Sequence, residues 1–409
     1  MCLYSYTCEA VAILMTPELG HGSIMKVYNG IGPIKIAVNG AQKKLVLNDI
    51  NSITQNYHLL AIDFPCNTGF LNTTSSSSSK CPEYPGQTSE GYITFESLAS
   101  TIADGLKDFF ETKDPECFLH NMQTLKVFVW SEGFSSQLAI NLKKEVEKKI
   151  PNFKLKGIIL EDAIIDLKRQ SQNFAAFGVG RSVISKESFR EIMKLETNIL
   201  LKVLTNDIFC NMYRNISSKL DPTIMCPFDL KKSCPSLKSF IGSTTNCDLF
   251  VADQIEDDPD NPLLMLLKDK MKVMRYQTSP SSLFWSGYKN FQNNPKLTMY
   301  DPDAINKLVD VLNDIPVLLY HSQNNMISNS IGSMLLADPL RWKNYEQYTS
   351  STTKFVIVNS KDPKMKYSIR GYGNFNRAQI FDIGGLYTYR GNPIMLRDHI
   401  FADFTKRIT

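Results

Sequence analysis

The sequence has no apolar run long enough to cross a lipid bilayer, although 43% of its 409 residues are hydrophobic. A membrane helix needs about 20 consecutive apolar residues, so we expect no membrane span. Charge of one sign is also scarce, because 45 basic and 41 acidic residues leave a formal net charge of +4 at pH 7. Nucleic-acid binding calls for a basic stripe with interleaved aromatic side chains. None is visible, and we predict no nucleic-acid partner.

Closely spaced metal ligands are missing as well. None of the nine cysteines forms a Cys-x-x-Cys pair, and the five histidines are scattered along the chain. A structural zinc site needs clustered ligands of these types. We therefore expect no metal and no other cofactor.

Cysteine is nevertheless abundant, and one group of four lies close together in the sequence. We interpret this group as a disulfide-stapled loop region, with free buried thiols as the alternative. Two Asn-x-Ser/Thr sequons, at Asn72 and Asn215, are candidate N-glycosylation sites and agree with a secretory route. Residues 10–14 are apolar but lack a preceding basic region, so we recognise no signal peptide. The candidate disulfide cysteines are Cys210, Cys226, Cys234 and Cys247.

Short apolar runs alternate with helical patterns over the first 165 residues. An alternation of this kind predicts a mostly parallel sheet covered by helices on both faces. Helices are predicted at residues 97–112 and from the turn near residue 133 to about residue 149. Strands are predicted at residues 10–15, 34–38, 58–62, 125–130 and 156–160.

The alternation stops between residues 166 and 295 and then returns. This block is helical at first, then interrupted by cysteine and proline, and then acidic at residues 256–260. We interpret it as an inserted lid on a core formed by residues 1–165 and 296–409. The later core elements are predicted as a helix after residue 303, a strand at 316–320, a helix at 330–337, a strand at 354–358 and a helix after 393.

Residues 125–137 (LKVFVWSEGFSSQ) form a buried strand that passes through a tight turn into a helix. In α/β-hydrolases this arrangement is the nucleophile elbow, which presents a serine hydroxyl at the head of the sheet. The strained backbone and the crowding of strand and helix require small residues in the turn. The centre of the turn here is Gly133, which has no side chain to act as a nucleophile.

The elbow and several other segments resemble the serine carboxypeptidase family. Residues 131–136 (SEGFSS) resemble the family's Gly-Glu-Ser-Tyr-Ala-Gly signature, and residues 61–70 (AIDFPCNTGF) are similar to its Asp-Gln-Pro-x-Gly-Thr-Gly-Phe loop. Residues 228–234 (FDLKKSC) resemble a Tyr-Asp-Ile-Arg-x-x-Cys segment of the family's lid, and residues 315–320 follow its C-terminal half. The resemblance implies an α/β-hydrolase fold: a central mixed, mostly parallel sheet with helices on both faces and an inserted helical, Cys-containing lid.

The resemblance also places the catalytic triad, and all three positions have changed. The nucleophile position is Gly133, the acid position is Asn325 within residues 322–329 (SQNNMISN), and the histidine position is Leu386. Asparagine in place of the triad aspartate costs roughly 10⁴ in rate in a serine protease, and loss of the nucleophile or base costs roughly 10⁶. We predict a pseudopeptidase with a binding, assembly or structural role. The alternative is an active serine-type carboxypeptidase or acyltransferase with a rearranged site.

A remnant of the substrate site is implied by the same comparison of motifs. Glu132 matches the signature glutamate that binds the substrate's terminal carboxylate, and Phe134 keeps an aromatic ring beside it. In the oxyanion loop, Thr16 replaces an asparagine, and Pro17 and Glu18 replace paired glycines. The candidates for residual binding of peptide C-termini are Thr16, Glu18, Glu132 and Phe134.

A relocated active site would need a serine and a histidine from elsewhere in the chain. Ser135 and Ser136 lie in the first turn of the predicted helix, where hydroxyls commonly satisfy backbone N–H groups, and we expect that role for them. The candidate groups for such a site are the nucleophiles Ser131, Ser135 and Ser136 and the bases His21, His58, His120, His321 and His399.

The family resemblance also implies a location and partners. The location would be the secretory pathway, a lysosome or vacuole, or the extracellular space, and the partners would be proteins, a larger assembly or a second copy of the chain.

Overall fold

The chain divides into two compact units. The first comprises Met1–Ile159, Gln254–Leu297 and Tyr389–Thr409, and the second comprises Leu160–Asp253 and Thr298–Thr388. The computed structural model describes residues 2–3, 10–15, 31–39, 42–48, 52–55, 57–64, 94–111, 126–153, 155–201, 301–359, 362–382 and a few isolated positions.

The first unit carries strands that are buried on both faces. Their order is β1, β5, β2, β6, β7, with β2 parallel to β5 and β6, and β1 antiparallel to β5. All of Val11 to Met15 is buried, as is Val127 to Glu132, which is the continuous pattern of central parallel strands. β3 and β4 form a separate antiparallel pair. The bounds are β1 (Cys2–Leu3), β2 (Ala10–Met15), β3 (Ile34–Asn39), β4 (Gln42–Leu47), β5 (His58–Ile62), β6 (Lys126–Glu132) and β7 (Leu155–Glu161), whose last two residues belong to the second unit.

Two long helices of the first unit, α1 (Phe95–Glu111) and α2 (Ser135–Lys149), pack against each other. The buried stripe of α1 includes Leu98, Ile102 and Leu106, which recur every fourth residue and therefore share one face. At the C-terminal end of α2, Lys149 Nζ donates to the Ser100 carbonyl at 2.8 Å and to Asp104 Oδ2 at 2.6 Å. These bonds fix the end of α2 on α1.

The second unit combines a parallel strand pair with an antiparallel hairpin. Its strand order is β8, β11, β10, β9, with β8 and β11 parallel and β10 antiparallel to both of its neighbours. The strands are β8 (Val317–Ser322), β9 (Lys354–Asn359), β10 (Asp362–Tyr372) and β11 (Phe375–Ile380). The helices are α3 (Leu167–Gln170), α4 (Phe174–Gly180), α5 (Lys186–Leu201), α6 (Ala304–Asp314), α7 (Ser330–Ala337) and α8 (Tyr345–Ser350), with 3-10 turns at Ile53–Gln55 in the first unit and Ser171–Asn173 in the second.

Most predicted elements are confirmed to within two residues. The helix predicted at 330–337 is α7, and the strand predicted at 354–358 is β9. Strands β1, β4, β10 and β11 were not predicted. Residues 166–201 of the inserted block are largely helical as expected, and the described positions 400, 403 and 404 are helical, in agreement with the helix expected after residue 393. Most of the inserted block lies outside the described residues, so the lid stays a prediction.

Among the described residues, no helix is both long and apolar enough to cross a bilayer. The same residues contain no cluster of His, Cys, Asp and Glu side chains able to hold a metal ion.

Candidate functional site

The elbow of the first unit has the predicted geometry. β6 ends at Glu132, Gly133 and Phe134 form the turn, and α2 begins at Ser135. Gly133 has a φ of +57°, in the left-handed region that glycine adopts without a steric penalty. The turn closes through the Ser136 N–H, which donates to the Gly133 carbonyl at 3.3 Å. The turn that the sequence predicts as the nucleophile elbow therefore has glycine at its left-handed position.

Both described members of the predicted substrate remnant are buried. Glu132 and Phe134 are 0% exposed, so neither side chain lies on the surface of the first unit. The other members, Thr16 and Glu18, lie outside the described residues. The structure thus places half of the remnant and leaves the binding of a peptide C-terminus as a prediction.

The hydroxyls around the elbow do not cap α2. The N-cap residue of α2 is Phe134, and it makes no side-chain capping bond. Ser131, Ser135 and Ser136 are fully buried, and their Oγ atoms have no hydrogen-bond partner among the described residues. The expectation that Ser135 and Ser136 satisfy backbone N–H groups was wrong, because the amides near this helix end bond instead to the carbonyls of the turn.

Asn325, the acid position of the predicted triad, lies in the loop after β8 of the second unit. Its Oδ1 accepts hydrogen bonds from the backbone N–H groups of Ile327 at 3.0 Å and Ser328 at 3.1 Å. The side chain is 0% exposed. Asn325 therefore has a structural use, since it holds the loop between β8 and α7.

A contact from Arg181 also fixes this loop. Arg181, which follows α4, donates from Nη2 to the Gln323 carbonyl at 2.6 Å and to Asn324 Oδ1 at 2.7 Å. Its guanidinium also lies 5.6 Å from the ring centroid of Phe177. Charge-assisted bonds of this kind are stronger than neutral ones, so the start of the loop is held from α4 as well as from within.

Beside this loop, a serine, a histidine and an aspartate lie in one buried cluster. Ser333, on α7, is hydrogen-bonded through Oγ to Nε2 of His321, the penultimate residue of β8. On the other side of the imidazole, His321 Nδ1 lies 4.0 Å from Asp162 Oδ1. Asp162 directly follows β7 with a φ of +42°, and its Oδ1 accepts the Ser322 N–H at 2.7 Å. The order of contacts is that of a Ser-His-Asp triad, but Ser333 is 0% exposed, His321 2% and Asp162 1%.

Burial dominates the electrostatics of Asp162. It raises the pKa of the Asp162 carboxyl to about 6, against the hydrogen bond from Ser322, which lowers it. The neighbouring Glu161 carboxylate raises the pKa further, and Asn325 lowers it. A carboxyl with this pKa changes its charge in a mildly acidic medium.

Burial shifts the pKa of the His321 imidazole in the opposite direction. Burial lowers the pKa of His321 to about 3, and the nearby Arg377 guanidinium lowers it too, while the Ser328 main chain opposes the shift. The ring is therefore neutral near pH 7, with one nitrogen as donor and the other as acceptor.

Sequence reasoning named His321 as a candidate base but did not name Asp162 or Ser333. The readable signal was the acidic pair Glu161-Asp162 at the carboxyl end of a buried strand, where parallel sheets gather functional groups. Of the other candidate bases, His58 is buried on β5 of the first unit. The remaining candidates lie outside the described residues: Leu386, His21, His120, His399, Asn72, Asn215, Cys210, Cys226, Cys234 and Cys247.

Comparison with known protein families identifies the family of this chain. Residues 20–390 match the model of the serine carboxypeptidase family. This chain belongs to that family. The resemblance of its motifs to serine carboxypeptidases is thereby confirmed over nearly its whole length.

Individual serine carboxypeptidases are distant from this chain in sequence. A serine carboxypeptidase-like protein of Oryza sativa subsp. japonica is 20% identical over 392 residues, covering 92% of this chain and 81% of that protein. The retinoid-inducible serine carboxypeptidase of Rattus norvegicus is 20% identical over 341 residues, covering 77% of this chain and 69% of that protein.

A solved serine carboxypeptidase shares the fold. The crystal structure of Kex1(Δ)p, a prohormone-processing carboxypeptidase from Saccharomyces cerevisiae, aligns with a TM-score of 0.67 at 15% identity and covers 98% of this chain and 83% of that one. The likeness confirms the predicted α/β-hydrolase fold with its mixed, mostly parallel sheet.

Proposed function

We propose that this serine carboxypeptidase-like chain is catalytically inactive and acts as a binding, assembly or structural protein. The observation that carries the proposal is Gly133. It occupies the left-handed turn between β6 and α2, where the family's nucleophile belongs, and it has no side chain. An intact elbow without a nucleophile retains at most the roughly 10³- to 10⁴-fold catalysis over water that an oxyanion hole and substrate binding supply.

The acid position supports the same proposal. Asn325 cannot carry the negative charge that a triad aspartate uses to stabilise the imidazolium ion. Its carbonyl oxygen is already bonded to two backbone N–H groups of its own loop. The family's histidine position reads Leu386 in the sequence, which removes the general base from the same alignment.

An active enzyme with a rearranged site is the second candidate function. The bonded pair of Ser333 and His321, with Asp162 beside it, favours this candidate because a nucleophile must lie within hydrogen-bond reach of its base. Burial argues against it. Ser333 is 0% exposed, and a substrate carbonyl cannot reach an oxygen that solvent does not reach.

A binding role would use what remains of the carboxylate site. Glu132 and Phe134 are kept at the elbow, and we infer from the family that the ligands are peptide C-termini. They would be presented by a protein partner, a larger assembly or a second copy of the chain.

The family, the cysteine-rich segment and the two sequons at Asn72 and Asn215 support a secretory, lysosomal, vacuolar or extracellular location.

The deciding experiment measures release of C-terminal amino acids from a mixed peptide library. The purified chain is assayed from acidic to neutral pH beside an active serine carboxypeptidase. We expect no release above buffer and no covalent labelling by serine-directed phosphonates. Release that disappears in the Ser333→Ala variant would instead establish the rearranged site, and phosphonate modification of Ser131, Ser135 or Ser136 would place a new nucleophile at the elbow.

A further inference from the structure

Strand β9 of the second unit lies at the end of the strand order. Among the described strands it pairs with β10 alone, so its outer edge presents backbone N–H and C=O groups without a neighbouring described strand. The strand consists of residues 354–359 (KFVIVN). Its four central residues are aromatic or β-branched, which are the residue types that favour strand pairing.

Two apolar side chains of β9 are exposed on one face. Phe355 is 76% exposed and Ile357 is 59% exposed, and residues two positions apart in a strand share a face. The ring of Phe381 stacks on that of Phe355, with the ring centroids 6.2 Å apart. We call Phe355, Ile357 and Phe381 the apolar edge. Adjacent apolar side chains that are this exposed mark an interaction surface.

Features that block edge-to-edge pairing occur only at the two ends of β9. Proteins protect outermost strands with lysine, proline or a β-bulge. Lys354 begins the strand, and the register with β10 shifts between Asp362 and Lys366, near its other end. Residues 355–358 carry neither a charge nor a proline. The middle of the strand is therefore open to a further strand.

A second copy of β9 complements this edge. In an antiparallel pair, side chains directly opposite each other lie on the same face. A twofold axis through Val356 sets Phe355 opposite the partner's Ile357, and the symmetry repeats this contact. Pairs of an aromatic and a β-branched side chain stabilise a sheet. Lys354 lies opposite the partner's Val358 in this register, so the two copies of Lys354 do not face each other.

The charges beside the apolar edge are compatible with this pairing. Within one copy, Ile357 pairs with Lys366 of β10, and Phe355 pairs with Ser368. The two Lys366 side chains would then lie three strand spacings apart, which is about 14 Å. That separation exceeds the screening length of about 8 Å at physiological salt, so repulsion between them is weak.

We propose that β9 pairs antiparallel with β9 of a second copy of this chain, with Val356 at the twofold axis. The pairing covers the exposed face of both apolar edges and joins the two second units through one continuous ladder of strands. The second copy is the favoured partner because the strand provides its own complement. The proposal holds whether or not the chain is catalytically active.

The first test is sedimentation of the full chain at increasing concentration, which should show a dimer. Ile357→Lys should raise the dissociation constant about 100-fold, because the symmetry places the lysine in two contacts and each costs about tenfold. Leu47→Lys, at a 69% exposed position in β4 of the first unit, is the control and should leave the dimer intact. A monomer at every concentration, or a dimer that Ile357→Lys does not weaken, overturns the proposal.

The second test determines the register. Opposite Cα atoms of an antiparallel pair are about 4.5–5.5 Å apart, which a disulfide can span. After mild oxidation of the Val356→Cys variant, peptide mapping should find position 356 joined to position 356 of the partner copy. Lys354→Cys is the control and should cross-link less, and the reverse order contradicts the proposed axis.

Hydrogen exchange tests the same edge without a substitution. The amide hydrogens of β9 should exchange more slowly as the chain concentration rises, because the second copy then bonds to the outer edge. Protection of these amides that does not depend on concentration would place another segment of the same chain on the edge and overturn the proposal.

Discussion

Arg181 Nη2 donates a hydrogen bond of 2.7 Å to Asn324 Oδ1 and thereby joins the end of α4 to the loop that carries Asn325. The same nitrogen donates to the Gln323 carbonyl at 2.6 Å. Asn325 is thus held on both sides: by Arg181 through its two preceding residues, and by its own bonds to the two amides that follow. The conformation of this loop depends on a residue far away in the sequence.

Replacing Arg181 with alanine should loosen this loop. Hydrogen bonds to charged groups contribute about 1.5–3 kcal/mol, and we expect a loss of that size in the free energy of unfolding, measured in urea. Amide hydrogens of Ile327 and Ser328 should exchange faster. Arg190→Ala, at an exposed position of α5, is the control, and equal exchange rates in the two variants would contradict the anchoring role.

Replacing Ser333 with alanine should destabilise the second unit. The change removes the hydrogen-bond partner of His321 Nε2 inside a fully buried site. An unpaired buried nitrogen costs about 1–3 kcal/mol, which urea unfolding would measure. Ser330→Ala, at the start of the same helix, should cost clearly less because Ser330 is partly exposed. A neutral result for Ser333→Ala would mean that the bond to His321 contributes no net stability.

Placing a serine at position 133 should not produce activity. Gly133→Ser supplies a hydroxyl, but the resemblance of the motifs assigns Asn325 and Leu386 to the acid and histidine positions, and a triad without its base loses roughly 10⁶ in rate. The left-handed φ of +57° adds strain of about 1–2 kcal/mol for a residue with a Cβ. Peptide-library release and urea unfolding measure the two effects. Detectable release would show that a base from elsewhere serves the elbow.

The carboxyl of Glu196 should make stability depend on pH. Burial raises the pKa of Glu196 to about 7, against the backbone bonds from Ala175 and Phe174. Because this folded-state pKa lies above the ordinary value of 4.5, the contribution of the carboxyl to stability is largest below pH 4.5. That contribution decreases as the pH rises to about 7.

A glutamine at position 196 removes this dependence, because it keeps an acceptor for the Ala175 N–H, which is 2.9 Å away in the native chain. The difference in unfolding free energy between Glu196→Gln and the unmodified chain should grow in favour of the variant by about 3 kcal/mol between pH 4.5 and 7. Glu187→Gln, at an exposed position of the same helix, should show no such change. A constant difference across this range would mean that Glu196 does not titrate there.

The elbow was predictable because its signal is local. An apolar run, a turn of small residues and a helix follow one another within residues 125–137, and the structure has β6, the turn at Gly133 and α2 in that order. The left-handed backbone at Gly133 is consistent with the small residues predicted for this turn. A motif contained in one continuous segment needs no knowledge of strand order.

The hairpin of β10 and β11 was missed although part of its signal was present. In β10, Tyr367 and Ile369 are buried while Lys366 is exposed and Ser368 and Arg370 are partly exposed, which is the period-two pattern of a strand with one covered face. Three polar side chains in five residues obscured that pattern. The parallel pairing of β11 with β8 was out of reach, since residues distant in sequence form it.

The cluster of Asp162, His321 and Ser333 was unpredictable for a related reason. These residues come from the end of β7, from β8 and from α7, and only the folded second unit brings them together. A single sequence identifies which side chains are able to hydrogen-bond, but it does not show which of them share a buried site. The absence of a side chain at position 133 was readable from one residue, whereas the cluster beside Asn325 required the fold.

The glycine at the elbow also bears on the history of the chain. Any residue with a side chain at position 133 must adopt a left-handed backbone, and an enzyme tolerates that strain because its chemistry depends on it. Glycine relieves the strain. In the proposed inactive chain, selection for folding alone would keep glycine at position 133, because any side chain there would bring the strain back.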